Sequence, residues 1–250
     1  MPHSRQSLKR SHTPEAIRRR LSQPNGQPVL KDLVYGAIDG AVTTFAVVSG
    51  VAGAGLPNSV IIVLGLANLF ADGFSMAASN FLGCRAENQA KAKARRDEKE
   101  HIRVYPEGET EEIRQIFAAK GFSGDVLDQI VRTITEDERR WVDTMVQEEL
   151  GYSLSNPSPI KAALATFVAF LVIGAIPLAS FLLNALNPGT IPHPFLWSAV
   201  LTGVAFFVVG ALKARVVEER WPVSGIETLA VGGSAAAIAY GIGILLKSMA

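Results

Sequence analysis

From Leu33 to Gly83 the chain is an almost unbroken run of apolar and small residues, interrupted by two charges, Asp39 and Asp72. Residues 85–161 then carry thirteen Lys/Arg and sixteen Asp/Glu. Beyond Lys161 the sequence is oily again, broken by a charged stretch from Lys213 to Arg220 and by Glu227 and Lys247. A hydrocarbon layer of roughly 30 Å takes about 20 helical residues to cross. The pattern predicts five such spans, at about 32–54, 59–84, 160–183, 195–214 and 226–246, the first closed by a Gly55-Leu56-Pro57 turn. No segment alternates with the period of two that a barrel strand needs, so the spans read as helices. The predicted fold class is all-α, a polytopic membrane protein with five transmembrane helices and a helical insert between spans 2 and 3.

Within the insert, Arg85 to about Val104 continues the second span without a break, its acids and bases falling at mixed i, i+3 and i+4 spacings. Pro106 ends that run and opens a helix over 107–120, closed by Gly121. A short helix over 124–134 and an amphipathic one over 136–150, capped by Gly151, complete it. Four regions follow: a basic, mobile arm over 1–31, spans 1 and 2 over 32–84, the insert over 85–159, and spans 3 to 5 over 160–250.

Composition changes this picture little, because it averages unlike regions. The 250 residues are 48% hydrophobic and 19% charged, with a formal net charge of +1 and a mean hydropathy of +0.24. So apolar a chain is not disordered overall. Its near-zero net charge argues against a nucleic-acid partner. A single cysteine, Cys84, excludes a disulfide framework and a multi-cysteine zinc site. Charge matters more for orientation. The N-terminal arm holds seven Lys/Arg against Glu15, and it, the insert and the 213–220 loop are basic-flanked, which predicts that they are cytosolic. The uncharged loops at 55–58 and 184–194 then lie outside, with the C-terminus. The N-terminus lacks the apolar core of a cleavable signal peptide. The arm is expected to lie near anionic lipid headgroups.

Chemistry is sought first in the spans. A carboxylate at mid-span costs several kcal/mol unless paired, hydrated or protonated, and such residues usually mark an ion or proton pathway. Asp39 stands about 10 Å into the first span at 1.5 Å per residue, and Asp72 lies well inside the second. Met76 follows Asp72 at i+4, on the same face. Carboxylate with thioether suits a borderline ion such as Fe²⁺ better than Mg²⁺ or Ca²⁺. Thr43, Thr44, Asn68 and Asn80 add polar atoms, each also explicable by helix–helix hydrogen bonding. In the insert, Glu98 and His101 stand three apart, Glu109 and Glu112 repeat the spacing, and Met145 precedes Glu149 by four with Glu148 beside it. Ligand-type side chains at one-turn spacing on three helices resemble a carboxylate bundle holding divalent metal, the alternative being a solvated charged face. There is no Gly-rich phosphate loop and no Ser/His/Asp constellation, so an enzyme is not expected.

These residues carry a resemblance. The run Asp32-Leu-Val-Tyr-Gly-Ala-Ile-Asp39-Gly40 with Thr43-Thr44 is similar to the first span of the vacuolar iron transporter family, and Gly65-Leu-Ala-Asn68 through Ser75-Met76-Ala-Ala-Ser-Asn80 to its second. Arg140-Trp141-Val142-Asp143 leading to Glu149-Leu150-Gly151 resembles the end of that family's cytosolic metal-binding domain. The resemblance covers roughly residues 30–250. It implies a homodimeric exporter of cytosolic Fe²⁺ coupled to proton entry, with the ion path between paired first and second spans. Asp39 and Met76 match its transport-site acid and methionine, and Asp32 an acid nearer the cytosolic mouth. Glu98, Glu109, Glu112, Met145 and Glu149 match its metal ligands. The chain departs from the family where His101 replaces a glutamate, Val146 a second methionine, Asn68 an acid of the plant-type members, and Asn80 another acid.

The expected function is therefore a secondary transporter in which the insert captures Fe²⁺, with Mn²⁺, Co²⁺ and Zn²⁺ as further candidates, and passes it to Asp39 and Met76. No permanently bound cofactor is expected. The expected partners are divalent ions, protons, the lipid bilayer and a second copy of the chain. A membrane-anchored metal sensor or buffer, and a proton-coupled transporter of a non-metal solute, are the alternatives. Short loops favour a bacterial inner membrane over a vacuole.

Overall fold

The computed structural model describes residues 8–10, 12–22, 28–216 and 218–249, and the described residues are helical with no strand. A helix α1 (Pro14–Ser22) falls in the arm that the sequence predicts to be mobile, and the rest of that expectation falls largely outside the described residues. Next come α2 (Pro28–Ala54), α3 (Asn58–Val104), α4 (Pro106–Ala119), α5 (Gly124–Thr135) and α6 (Glu138–Glu148). They are followed by α7 (Pro159–Gly174), α8 (Ile176–Leu186), α9 (Pro194–Val216) and α10 (Trp221–Leu246). The chain divides into two compact units. One is Gln27–Leu82 with Ser158–Ala250, and the other is Gly83–Pro157 with the N-terminal segment.

The first unit is a bundle around α2, which packs against α7, α8, α9 and α10. Its core joins Phe45 and Val48 of α2, Ile61 and Leu69 of α3, Phe170 of α7, Leu178 and Phe181 of α8, and Phe206 of α9. Small residues set the distances. A Cβ at Gly36 would land on the carbonyl oxygen of Thr166, and one at Gly243 on that of Gly50, so α2 lies in near backbone contact with both α7 and α10. Outward faces stay apolar, as in Val63, Leu64, Phe70 and Phe74 of α3, which suits hydrocarbon rather than water. Among the described residues four helices are long and apolar enough to cross a membrane, or five spans if α7 and α8 together count as one.

That pair differs from the single third span read from the sequence. α7 and α8 meet at a 52° bend. Pro177, in the first turn of α8, lacks the N–H that would continue the helix and crowds the preceding turn. The break is anchored, because Ser198 Oγ donates to the Pro177 carbonyl at 2.6 Å and Ser180 Oγ to the Pro194 carbonyl at 2.7 Å.

In the other unit, α4, α5 and α6 close a small core of Ile113, Leu127, Val131, Ile134, Trp141 and Met145. The sequence bounds hold to within two residues, with Asp137 capping α6 by accepting from the Arg140 N–H at 2.7 Å. The insert portion of α3 carries a polar seam at 84, 88, 91, 95 and 98, alternating steps of four and three that keep one face toward a neighbour. Cys84 Sγ and Asn88 Nδ2 both donate to the Pro157 carbonyl, at 3.6 and 2.9 Å. Lys91 Nζ donates to the Ser153 carbonyl at 3.0 Å and to that of Ser155. Arg95 pairs with Asp143. Glu98 is the last rung.

Candidate functional site

Glu98 and His101 lie one turn apart on α3, and Glu109 on α4 faces them across the Tyr105-Pro106 corner. One ligand atom from each of the three falls within 4.8 Å of the others. His101 Nδ1 is 3.6 Å from Glu109 Oε1 and 4.0 Å from Glu98 Oε1. Both carboxylates are buried, Glu98 at 4% and Glu109 at 7% exposure, whereas the imidazole faces outward. Oε2 of each glutamate is buried with no hydrogen-bond partner. Leaving such an atom unsatisfied is costly, and a cation removes the cost.

Electrostatics agree. Burial, then the nearby carboxylates of Glu149 and Glu109, push the Glu98 carboxyl up from 4.5 to about 7. Desolvation followed by Glu112 raises Glu109, and the same two causes raise Glu149. In the metal-free cluster Glu98 therefore holds a proton up to about pH 7, which a divalent ion would displace.

The sequence-predicted ligands thus divide. The structure brings Glu98, His101 and Glu109 together, with Glu112 and Glu149 in electrostatic range. Met145 is instead fully buried in the core of the unit beside Trp141 and Ile113. Glu148 is ion-paired with Lys120.

In the spanning unit, Asp39 and Met76 line a common cavity of about 630 Å³, otherwise walled mainly by aliphatic side chains. Lys31, Tyr35 and Lys213 also line it. Asp72 lies close enough to act on Asp39 electrostatically. Thr43 Oγ1 donates to the Asp39 backbone carbonyl at 2.9 Å, so its hydroxyl is spent within α2. Asn68 Nδ2 is buried without a partner. A second cavity of about 260 Å³ is lined by Asp32, Ser79, Asn80 and Thr166, and shares Lys31, Tyr35 and Met76 with the first. There Asn80 Nδ2 donates to Asp32 Oδ1 at 2.9 Å and to Thr166 Oγ1 at 2.7 Å. Asp32 is thereby buried and held by a neutral donor, and Met76 stands between the two acids' cavities.

Thr166 and Lys213 were not singled out by the sequence. A lone threonine in an apolar helix is too common to signal a site, and Lys213 reads only as a marker of the cytosolic side. Thr166 becomes visible through the backbone contact at Gly36, which sets it beside Asp32.

The chain matches the model of the VIT family over residues 30–244. Among curated proteins it is similar to a vacuolar iron transporter of Toxoplasma gondii (strain ATCC 50861 / VEG), 34% identical over 224 residues, covering 87% of this chain and 74% of the relative. It is also similar to vacuolar iron transporter 1 of Arabidopsis thaliana, 29% identical over 218 residues, with 85% and 84% covered. Vacuolar iron transporter 1 of Tulipa gesneriana is 28% identical over 229 residues, with 88% of each chain covered.

Proposed function

The chain belongs to the VIT family, and from that premise we propose that it moves divalent metal, Fe²⁺ first and Mn²⁺ as a second substrate, out of the cytosol in exchange for protons. It is a transporter and not an enzyme. The observation that carries the reading is the pair of carboxylate oxygens, Glu98 Oε2 and Glu109 Oε2, buried without partners beside an imidazole. A divalent cation removes that cost, which favours the metal reading of the insert. A buffer or sensor would need the insert alone and would gain nothing from Asp39 in an apolar bundle.

The insert is cytosolic in this proposal and captures the ion at Glu98, His101 and Glu109, with Glu112 and Glu149 adding charge. Asp39 and Met76 are the transport site. A carboxylate and a thioether on one cavity favour Fe²⁺ over the harder Mg²⁺ and Ca²⁺. Proton exchange follows from competition, since a carboxylate oxygen that has taken a proton is a poor ligand. Asp32, fixed by Asn80, lies on the neighbouring cavity that shares Met76, as an entry residue. Two copies form the working unit, with the apolar outer faces divided between lipid and the partner. The relatives are named for the vacuole, and filling such a store requires the same outward direction as export across a bacterial inner membrane.

Reconstituted vesicles test the proposal. With an imposed proton gradient, Fe²⁺ moves against the proton flow, and collapsing the gradient with a protonophore stops it. Vesicles that pass no divalent metal in either orientation contradict transport, whatever the protein binds.

A further inference from the structure

We infer that His101 is the residue that sets which metal the insert accepts, making the Glu98–His101–Glu109 cluster a mixed nitrogen–oxygen site. It would select Zn²⁺, Co²⁺ and Fe²⁺ over Mn²⁺, Mg²⁺ and Ca²⁺. The inference rests on the metal-capturing role proposed for the insert and adds its selectivity.

Geometry comes first. Metal–ligand bonds to imidazole and carboxylate are about 2.1 Å, so two ligand atoms on one ion stand roughly 3.0 Å apart when adjacent and 4.2 Å apart when opposite. His101 Nδ1 is 3.6 Å from Glu109 Oε1 and 4.0 Å from Glu98 Oε1. One ion therefore reaches all three with small side-chain adjustments. Each of the two buried carboxylates also has an oxygen, Oε2, without a hydrogen-bond partner.

Chemistry then separates the ions. Oxygen-only sites suit Mg²⁺, Ca²⁺ and Mn²⁺, whereas an imidazole ligand gains most with the later transition ions. In this cluster the other nearby ligand-type groups, Glu98, Glu109, Glu112 and Glu149, are all carboxylates. Met145, a soft donor, lies in the hydrophobic core of the unit with Trp141 and Ile113. Within the Glu98–His101–Glu109 group the one nitrogen is that of His101, and discrimination at that group falls to it. His101 is also the exposed member of the trio, with 59% of its side chain accessible, so it can meet the incoming ion before the buried glutamates do.

The test is competitive metal binding by the full-length protein in detergent, read against a fluorescent chelator under anaerobic conditions, with Zn²⁺, Fe²⁺ and Mn²⁺. The insert's share is the binding lost in the double variant Glu98→Gln/Glu109→Gln. In His101→Glu, affinity of that share for Zn²⁺ and Fe²⁺ is expected to fall at least tenfold, the lower end of what losing even an outer-shell partner costs. Mn²⁺ affinity should hold or rise. His101→Gln should lower Zn²⁺ and Fe²⁺ without the Mn²⁺ gain. An unchanged Zn²⁺-to-Mn²⁺ ratio in His101→Glu, with binding still dependent on Glu98 and Glu109, overturns the inference and leaves the metal site intact. No binding dependent on those glutamates overturns both. Because His101 is exposed, unchanged melting of metal-free His101→Gln is expected and separates a ligand role from a folding one.

Discussion

Glu98 shows how one buried side chain sets both a stability profile and a binding profile. In the metal-free protein its carboxyl keeps a proton up to about pH 7, whereas an unfolded chain releases it near 4.5. Between those values the folded state binds more protons than the unfolded one, so its stability falls as pH rises and levels off above 7. Chelator-treated protein is therefore expected to melt lower at pH 8 than at pH 5. The slope should shrink in Glu98→Gln, which keeps the shape of the side chain and loses the charge. The same variant should lose the rise in melting temperature that added metal gives wild type at pH 8. Equal pH slopes in the two proteins would argue that Glu98 is not buried as described. Which residues carry this chemistry was partly legible in the sequence. The Glu98–His101 spacing puts both on one face, and the structure adds Glu109. The Met145–Glu149 spacing has two solutions, because Trp141 and Met145 also share a face. Burial of the aromatic decides it and takes Met145 into the core. Nor does sequence say which of two adjacent acids turns inward. Here Glu148 is drawn to Lys120, while Glu149 is the one that acts on Glu98.

Among the elements, the polar seam of α3 ties down the segment that returns the chain toward α7. Lys91 is buried, its ammonium is held by two backbone carbonyls, and burial pulls its pKa down. Lys91→Met would leave those carbonyls without their donor, at a cost of about 1–3 kcal/mol for an unsatisfied buried group. Faster amide exchange is expected through 151–157, with exchange in the apolar helices unchanged. Metal affinity should weaken as well, because Glu149 lies only four residues before Ser153. Exchange that stays as slow as in wild type would show the seam to be incidental. The helices of the insert were readable because each is punctuated by a residue with its own backbone demand, as at Pro106, Gly121 and Gly151. The break at Pro177 was not. Hydropathy is equally high on both sides of it, and proline is tolerated in membrane helices when neighbours satisfy the freed groups, so one span and two were both compatible with the pattern. The hydroxyls of Ser180 and Ser198, which fasten the bend, come into view only once α9 is beside α8.

For the whole molecule, a net charge of +1 conceals a division of labour. A charged helical unit gathers buried carboxylates beside an exposed imidazole, and an apolar bundle holds Asp39 on a cavity walled mainly by aliphatic side chains. These roles are separable in the proposed function. Loss of insert ligands should raise the Fe²⁺ concentration needed for half-maximal flux, whereas loss of the transport-site acid should remove the flux itself. The sequence divides the chain this way because charge and hydropathy change sharply at its borders. Glycines that bring α2 against α7 and α10 fix which polar groups meet inside, and that pairing is a property of three-dimensional packing. The most direct test is proton-driven Fe²⁺ flux in vesicles containing Asp39→Asn beside wild type at equal protein density. Asn keeps the volume and removes both the charge and the exchangeable carboxyl proton. The expected result is flux reduced to the level of protein-free vesicles, with metal binding at the insert retained. Undiminished flux in Asp39→Asn would contradict the account at its centre.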